Sequence, residues 1–351
     1  MIKIKSVINM TIDGNEALIV SKVSDNKLLL NSMDIEKGTF TTIARFKGSK
    51  CLLIERMNEK IFIGVDNKLL IGDYGNERNW KEVLTTKNIC NAFRCLVSAK
   101  EYLYCIEYGE PLTGLYRSED GYSWKLIATA QDIDRKARHF HCLAYDKYRD
   151  ILIVTLGDNC RAKAGFSYDG KSFEIAKTGP AQLLPITCTK EYIVFGTDDP
   201  VYTGLVIYEP KLRKSKFIPI KMNKCVPAKS RSTIRKLLFL KPCPSFMSDL
   251  KILNGRFWVA TFAIPQIAIA SRDMRIWYPI IERSYLPDFY WTTINEGERY
   301  IAFTLGEDSF IIDKSRIENL LNEKSPIAYK HRAIRERILS FAYFMRAHFS
   351  V

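Results

Sequence analysis

Gly114-Leu115-Tyr116-Arg117-Ser118-Glu119-Asp120-Gly121-Tyr122-Ser123-Trp124-Lys125-Leu126 reads as a strand, a tight turn and a returning strand. Ser118 and Asp120 suit the turn because their side chains bond nearby backbone N–H groups, and Gly121 supplies a positive φ. Ser167-Tyr168-Asp169-Gly170-Lys171-Ser172-Phe173 repeats the pattern, and Ser271-Arg272-Asp273-Met274-Arg275-Ile276-Trp277 repeats it without the glycine. Stretched forms occur at Ser32-Met33-Asp34 with Gly38 and Phe40, and at Gly72-Asp73-Tyr74-Gly75 with Trp80. Tyr208-Glu209-Pro210 and Asp313-Lys314-Ser315 are remnants.

Around these turns lies a frame of four short strands, A to D. Apolar B strands recur at Glu16–Val23, Lys60–Val65, Glu101–Ile106, Asp150–Leu156, Glu191–Phe195, Arg256–Phe262 and Arg299–Leu305. C strands follow at Lys27–Leu30, Lys68–Ile71, Gly114–Tyr116, Ala164–Phe166, Leu205–Tyr208, Ile267–Ala270 and Ser309–Ile312. A unit of four strands repeating roughly every forty to fifty residues predicts radial repetition into an all-β propeller. Seven blades fit best, with six and an irregular cap as the alternative. The segment Lys3–Met10 is expected to help close the ring, since an open ring would leave a bare sheet edge.

The turns resemble the Asp-box (BNR) repeat of sialidase-like propellers over residues 1–315. That resemblance implies that Ser118, Asp120, Gly121, Trp124, Ser167, Asp169, Gly170 and Phe173 are structural, on the face away from ligand. The sialidase Phe-Arg-Ile-Pro signature is absent, and no motif ties Arg94, Arg138 and Arg161 to an arginine triad or Tyr108 to a nucleophile.

If the boxes mark one face, the B–C and D–A loops mark the other. Acid and glycine recur there at Glu107-Tyr108-Gly109-Glu110, Gly157-Asp158, Gly196-Thr197-Asp198-Asp199 and Gly306-Glu307-Asp308. Converging carboxylates would suit sugar hydroxyls, a cation or proton transfer. Asp and Gly in such loops are equally ordinary turn formers. His139 and His141 alternate onto one side of the fourth A strand beside Asp158, a pair able to bind a metal or move a proton, or simply to hydrogen-bond. The candidate catalysts are His139, His141, Asp158 and Glu107. The candidate binding set is Arg94, Glu107, Tyr108, Glu110, Arg138, His139, His141, Asp158, Arg161, Asp198, Asp199 and Glu307. No resident cofactor or metal is expected, apart from the option of a divalent cation at the acidic loop face.

The net charge of +14 favours a polyanionic partner or simple solubility. Between Pro210 and Lys241 there is no Asp or Glu and the chain is dense in Lys and Arg, most of it read as a long D–A insertion that an acidic polymer could meet. Aromatics are sparse there, so nucleic acid is not expected. Residues 316–351 read as a helical tail, with Ile334, Ile338, Phe341 and Met345 at helical spacing; it suits packing, a partner or a membrane surface. No secretory signal is evident, and the nine scattered cysteines fit a reducing compartment, hence cytosolic synthesis with virion association as an option. The expected function is a recognition or structural propeller for a glycan or protein. The alternatives are a glycan-cleaving hydrolase or lyase, and a membrane-peripheral scaffold.

Overall fold

Each B strand is flanked on both faces by neighbouring sheets, so it reads as a continuous apolar run rather than an alternation. Ile151–Gly157, buried at every position, is the clearest case. The computed structural model describes residues 1–74, 79–158, 163–179, 181–199, 202–222, 245–264, 266–284 and 292–323.

After a short leading strand β1 (Ile2–Lys5), blade one contains β2 (Val7–Asp13), β3 (Glu16–Ser24), β4 (Lys27–Asp34) and β5 (Thr39–Phe46). Blade two contains β6 (Leu53–Met57), β7 (Lys60–Val65), β8 (Lys68–Asp73) and β9 (Lys81–Thr85). Blade three contains β10 (Ala92–Ala99), β11 (Tyr102–Tyr108), β12 (Gly114–Ser118) and β13 (Lys125–Thr129), followed by a single turn of helix α1 (Ala130–Ile133). Blade four contains β14 (His139–Asp146), β15 (Ile151–Gly157), β16 (Lys163–Ser167) and β17 (Glu174–Lys177). Blade five contains β18 (Leu183–Cys188), β19 (Ile193–Thr197), β20 (Gly204–Glu209) and β21 (Lys214–Pro219). An edge strand β22 (Lys221–Met222) precedes blade six, which contains β23 (Ser245–Leu253), β24 (Phe257–Ile264), β25 (Gln266–Ser271) and β26 (Ile276–Ser284). Blade seven contains β27 (Thr292–Glu296), β28 (Tyr300–Leu305) and β29 (Asp308–Asp313), and helix α2 (Lys314–Glu323) follows.

Apart from the parallel edge strand β22, the sheets are antiparallel, and the ring has seven blades, not six. Blade seven has no fourth strand of its own in sequence; β1 supplies it, Ile2 opposite Ile311 and Lys5 opposite Asp308. The expected closing segment therefore divides. Ile2–Lys5 closes blade seven, Ser6 turns at a φ of 58°, and Val7 begins blade one. Buried apolar side chains form seven clusters among the described residues, each straddling one pair of adjacent blades. Ile317 and Leu321 of α2 join the cluster between blades six and seven.

The three well-formed turns share one geometry. Asp120 Oδ1 accepts from the N–H of Tyr122 at 2.8 Å and of Ser123 at 2.7 Å. Asp169 does the same for Lys171 and Ser172, and Asp273 for Arg275 and Ile276. Trp124 and Trp277 donate their indole N–H to the carbonyls of Gly121 and Met274. The position needing positive φ is held by Gly121 at 77°, Gly170 at 68° and, in the copy that lost its glycine, Met274 at 60°. These turns and the A–B turns lie at one end of every blade, the turn face. The B–C and D–A loops lie at the other, the loop face.

The D–A connection begins only after residue 219, because Pro210–Arg213 turns from β20 into β21 on the turn face and Lys214 and Lys216 lie in β21. Lys221 lies in β22, which runs parallel to β26 as a fifth strand on blade six. The remaining basic residues of 223–241, and the tail 324–351, lie outside the described residues. The described part of the C-terminal segment, α2, docks on the propeller, with Asn254 Nδ2 donating to Glu318 Oε1 at 2.7 Å. No described helix is long and apolar enough to cross a membrane.

Candidate functional site at the mouth of blades three to five

A β-bulge interrupts several A strands near the loop face. Pairing skips from Phe93 to Cys95 in β10, from Phe140 to Cys142 in β14, and between Met247 and Asp249 in β23. A bulge adds one residue and re-aims its side chain. The extra residues are Arg94 in blade three and His141 in blade four. The core Phe before each bulge stays fully buried, as Phe93 and Phe140 both are. The bulge thus lets one strand anchor the blade and still aim a polar group towards the mouth of the channel.

His139 and His141 remain on the same side of β14 despite the bulge, their ring centroids 5.1 Å apart. His139 Nδ1 lies 2.6 Å from the Gly109 carbonyl, and His141 Nδ1 lies 2.8 Å from the Leu183 carbonyl. A carbonyl only accepts, so each Nδ1 carries the proton and each Nε2 holds the free lone pair. The Nε2 of His139 is buried with no hydrogen-bond partner. Burial holds the His139 pKa below its ordinary value, and burial with the neighbouring His139 brings His141 down to about 3, so both rings are neutral at pH 7. Both rings sit over Gly157. A Cβ there would lie 2.2 Å from His141 Nε2 and 2.5 Å from His139 Cδ2.

Asp158 follows Gly157 in a left-handed conformation, φ 44°, which β15 does not continue. Its Oδ2 accepts from Arg138 Nη1 at 3.1 Å and its Oδ1 from Gln182 Nε2 at 3.0 Å. The same Oδ2 lies 4.0 Å from His139 Nε2. Burial alone would raise this carboxyl, but Gln182, the two histidines and Arg138 outweigh it and hold the pKa below the usual value. Arg138 also donates to Glu110 Oε1 at 2.7 Å. Glu110, Arg138, Asp158 and Gln182 therefore form one chain of hydrogen bonds across blades three, four and five.

Beneath it, Tyr108 packs on His139 with centroids 4.5 Å apart, and Arg94 lies over the Tyr108 ring at 4.8 Å. Asp198 reaches within 3.8 Å of His141 Nδ1. Burial pushes Asp198 up to about 7, against the pull of Arg94 and with the help of Asp158 and Asp199.

Among the expected site residues, Arg94, Tyr108, Glu110, Arg138, His139, His141, Asp158 and Asp198 come together here. Glu107 does not. It is buried in blade three, its Oε1 accepting from Tyr116 Oη at 2.5 Å and its Oε2 from Asn91 Nδ2 at 3.3 Å. Alternation along β11 sends Tyr108 towards blade four and Glu107 the other way, so Glu107 stays within blade three, bonded to Tyr116 and Asn91 and away from the mouth. Asp199 caps its own loop, accepting from the N–H of Tyr202 at 2.9 Å. Glu307 lies in blade seven, across the ring, where its carbonyl accepts from the Val7 N–H at 3.0 Å. The four acidic loops therefore do not share one rim; those of blades three, four and five do. Arg161 lies outside the described residues. Gln182 and Gly157 belong to the site and are absent from the candidate binding set, Gly157 having entered only as the glycine of the Gly157-Asp158 loop. Gly157 carries a signal, as the strand-end glycine facing two histidines, whereas Gln182 carries none.

No family model matches the chain, and no curated protein matches it. Solved structures do. YCF48 bound to the D1 peptide aligns with a TM-score of 0.60 at 10% identity, over 94% of this chain and 97% of that one. The WD40 propeller domain of Doa1 gives 0.62 at 10% identity, over 90% and 96%. Virginiamycin B lyase from Staphylococcus aureus gives 0.61 at 10% identity, over 88% and 97%. At these identities the likeness is one of fold, a propeller aligned along 88–94% of the chain.

Proposed function

We propose that this chain is a recognition propeller of the Asp-box type that engages a glycan or protein partner through the loop face of blades three to five. The observation that carries this reading is the chain Glu110–Arg138–Asp158–Gln182. Its charged side chains are exposed by 51%, 42% and 36% for Glu110, Arg138 and Asp158, so they present directional donors and acceptors to solvent from three blades at once. Fixed polar groups on a rigid scaffold are what specific recognition needs, because little ordering is left to be done on binding. The turn geometry supports the Asp-box assignment, and the similarly folded YCF48, solved with a bound peptide, supports a peptide or protein partner. A sialidase-type reading is weakened by Arg138, whose guanidinium is already held by two carboxylates.

A screen of the full chain on glycan and peptide arrays tests the reading, with Arg138→Ala as the control. The expected outcome is a saturable hit that R138A weakens at least tenfold, since it removes the cation that holds Glu110 and Asp158 in place. A hit that R138A leaves unchanged would move recognition elsewhere on the ring.

One observation favours a second reading, a glycan-cleaving enzyme. Asp158 is held below the usual carboxylate range while Asp198 is raised to about 7, and such a split between neighbouring acids suits a base and an acid. Array hits would then be followed for product release. Asp198→Asn should abolish turnover and leave binding in place; hits that release no product remove this reading.

A further inference from the structure

We infer that His139, His141 and Asp158 form a binding site for a divalent first-row transition-metal ion of the zinc type, open at one position towards the loop face. One ligand atom from each residue lies within 4.8 Å of the other two. Two imidazole nitrogens and one carboxylate oxygen are a donor set for zinc and its neighbours rather than for calcium or magnesium, which take oxygen ligands.

Four separate features prepare these residues. Both Nδ1–H groups are used up on backbone carbonyls, those of Gly109 and Leu183, which turns both Nε2 lone pairs away from the strand and fixes the ring planes. His139 is 4% exposed and its Nε2 is buried without a partner, so the fold tolerates an unmet acceptor at the position where an ion would bind. Residue 157 is a glycine, and any Cβ would occupy the space into which both rings project. Asp158 is aimed by a left-handed backbone and braced by Gln182 and Arg138, an outer layer of the kind that orients metal-binding carboxylates.

The distances require a modest closure. With metal–ligand bonds of about 2.0–2.1 Å, tetrahedral ligand atoms sit roughly 3.3 Å apart, so the 4.0 Å between His139 Nε2 and Asp158 Oδ2 must shrink by about 0.7 Å, and separations of up to 4.8 Å by up to about 1.5 Å. Rotation of the half-exposed Asp158 side chain closes the carboxylate distances, and a small tilt of the two imidazoles about their Nδ1–H bonds closes the rest. The positive charge of Arg138 does not exclude a cation, because Glu110 shares it. Three protein ligands leave the fourth position for water or a partner's oxygen, the pattern of an open rather than a purely structural site. The proposal rests on this rim being the functional surface, and it supplies the atom that the surface would present.

The test measures metal without any partner, so it can fail while array binding succeeds, and the reverse. Full-chain protein is stripped with chelator, dialysed against Zn2+ or Co2+, and assayed for bound metal and for the visible absorption of four-coordinate Co2+. One ion per chain is expected in the wild type. His139→Ala and Asp158→Asn should each weaken it at least tenfold, while Gln182→Ala weakens it less and keeps the one-ion stoichiometry. Circular dichroism identifies variants that fail to fold; D158N changes only a half-exposed group and serves if H139A does not fold. A stripped wild type that takes up no stoichiometric ion overturns the proposal. So does a folded H139A or D158N that binds as tightly as the wild type, which would place the ion on cysteines or on the histidines beyond residue 323.

Discussion

At the scale of single residues, Gly157 has the sharpest consequence. It ends the most buried strand of blade four, and two imidazoles occupy the place where its side chain would stand. Neither ring can move aside cheaply, since each is tied through Nδ1 to a carbonyl of a neighbouring blade. Gly157→Ala is therefore expected to cost about 1–3 kcal/mol, the usual range for overpacking. It should also displace the two rings, which urea denaturation and the histidine ring resonances would report. An unchanged midpoint with unmoved rings would show that the strand end yields instead. The histidine pair was legible in the sequence because residues two apart in a strand share a side, and Asp158 because it ended the paired B strand. Gln182 was not, since nothing in its neighbours distinguishes it from any loop residue; only the packing of blade five on blade four brings its amide to Asp158. Glu107 illustrates the reverse error, an acid in a loop-like stretch that the strand continues through and buries.

At the scale of elements, the strand frame was legible because burial on both faces leaves so strong an apolar signature in B strands, and the SxD turns set their register. The bulges were not legible. A bulged and an unbulged A strand differ by one inserted residue in a short segment, and only pairing with the B strand reveals it, as at Phe140 and Cys142. Ring closure was legible only in part, because β1 is four residues long and its partner is more than three hundred residues away in sequence. Its role makes a prediction. Removing residues 1–5 leaves one edge of β29 unpaired and uncovers apolar surface that Ile2 and Ile4 cover on the cluster between blades seven and one. Exposed edges recruit other strands. The truncated chain should unfold several degrees lower on heating and should self-associate during refolding, as light scattering would detect. A truncation with the wild-type melting temperature and no added scattering would mean that blade seven stands on three strands.

At the scale of the whole molecule, the seven A strands line a central channel, and its turn-face end opens into a cavity of about 580 Å³. Glu55 from blade two and Lys251 from blade six line this end, with Asp13, Arg56 and Glu296 around the opening. Burial pushes Glu55 up to about 7; Lys251 opposes this, while Cys95 and Asp249 add to it. An acid whose folded pKa lies above its ordinary 4.5 binds its proton more tightly in the folded state. Its contribution to stability is thus fully present below about 4.5 and is withdrawn as the pH rises through about 7. A tenfold difference in proton affinity between the folded and unfolded chain is worth about 1.36 kcal/mol, and channel water screens part of the effect, so about 1–2 kcal/mol should be lost across that window. Chemical denaturation at a series of pH values, with Glu55→Gln alongside the wild type, isolates the effect. The variant keeps the side-chain shape but carries no charge at any pH, so its stability should fall less than that of the wild type between those limits. Parallel profiles would place the Glu55 titration at its ordinary value, with the charge of Lys251 fully offsetting burial in the channel.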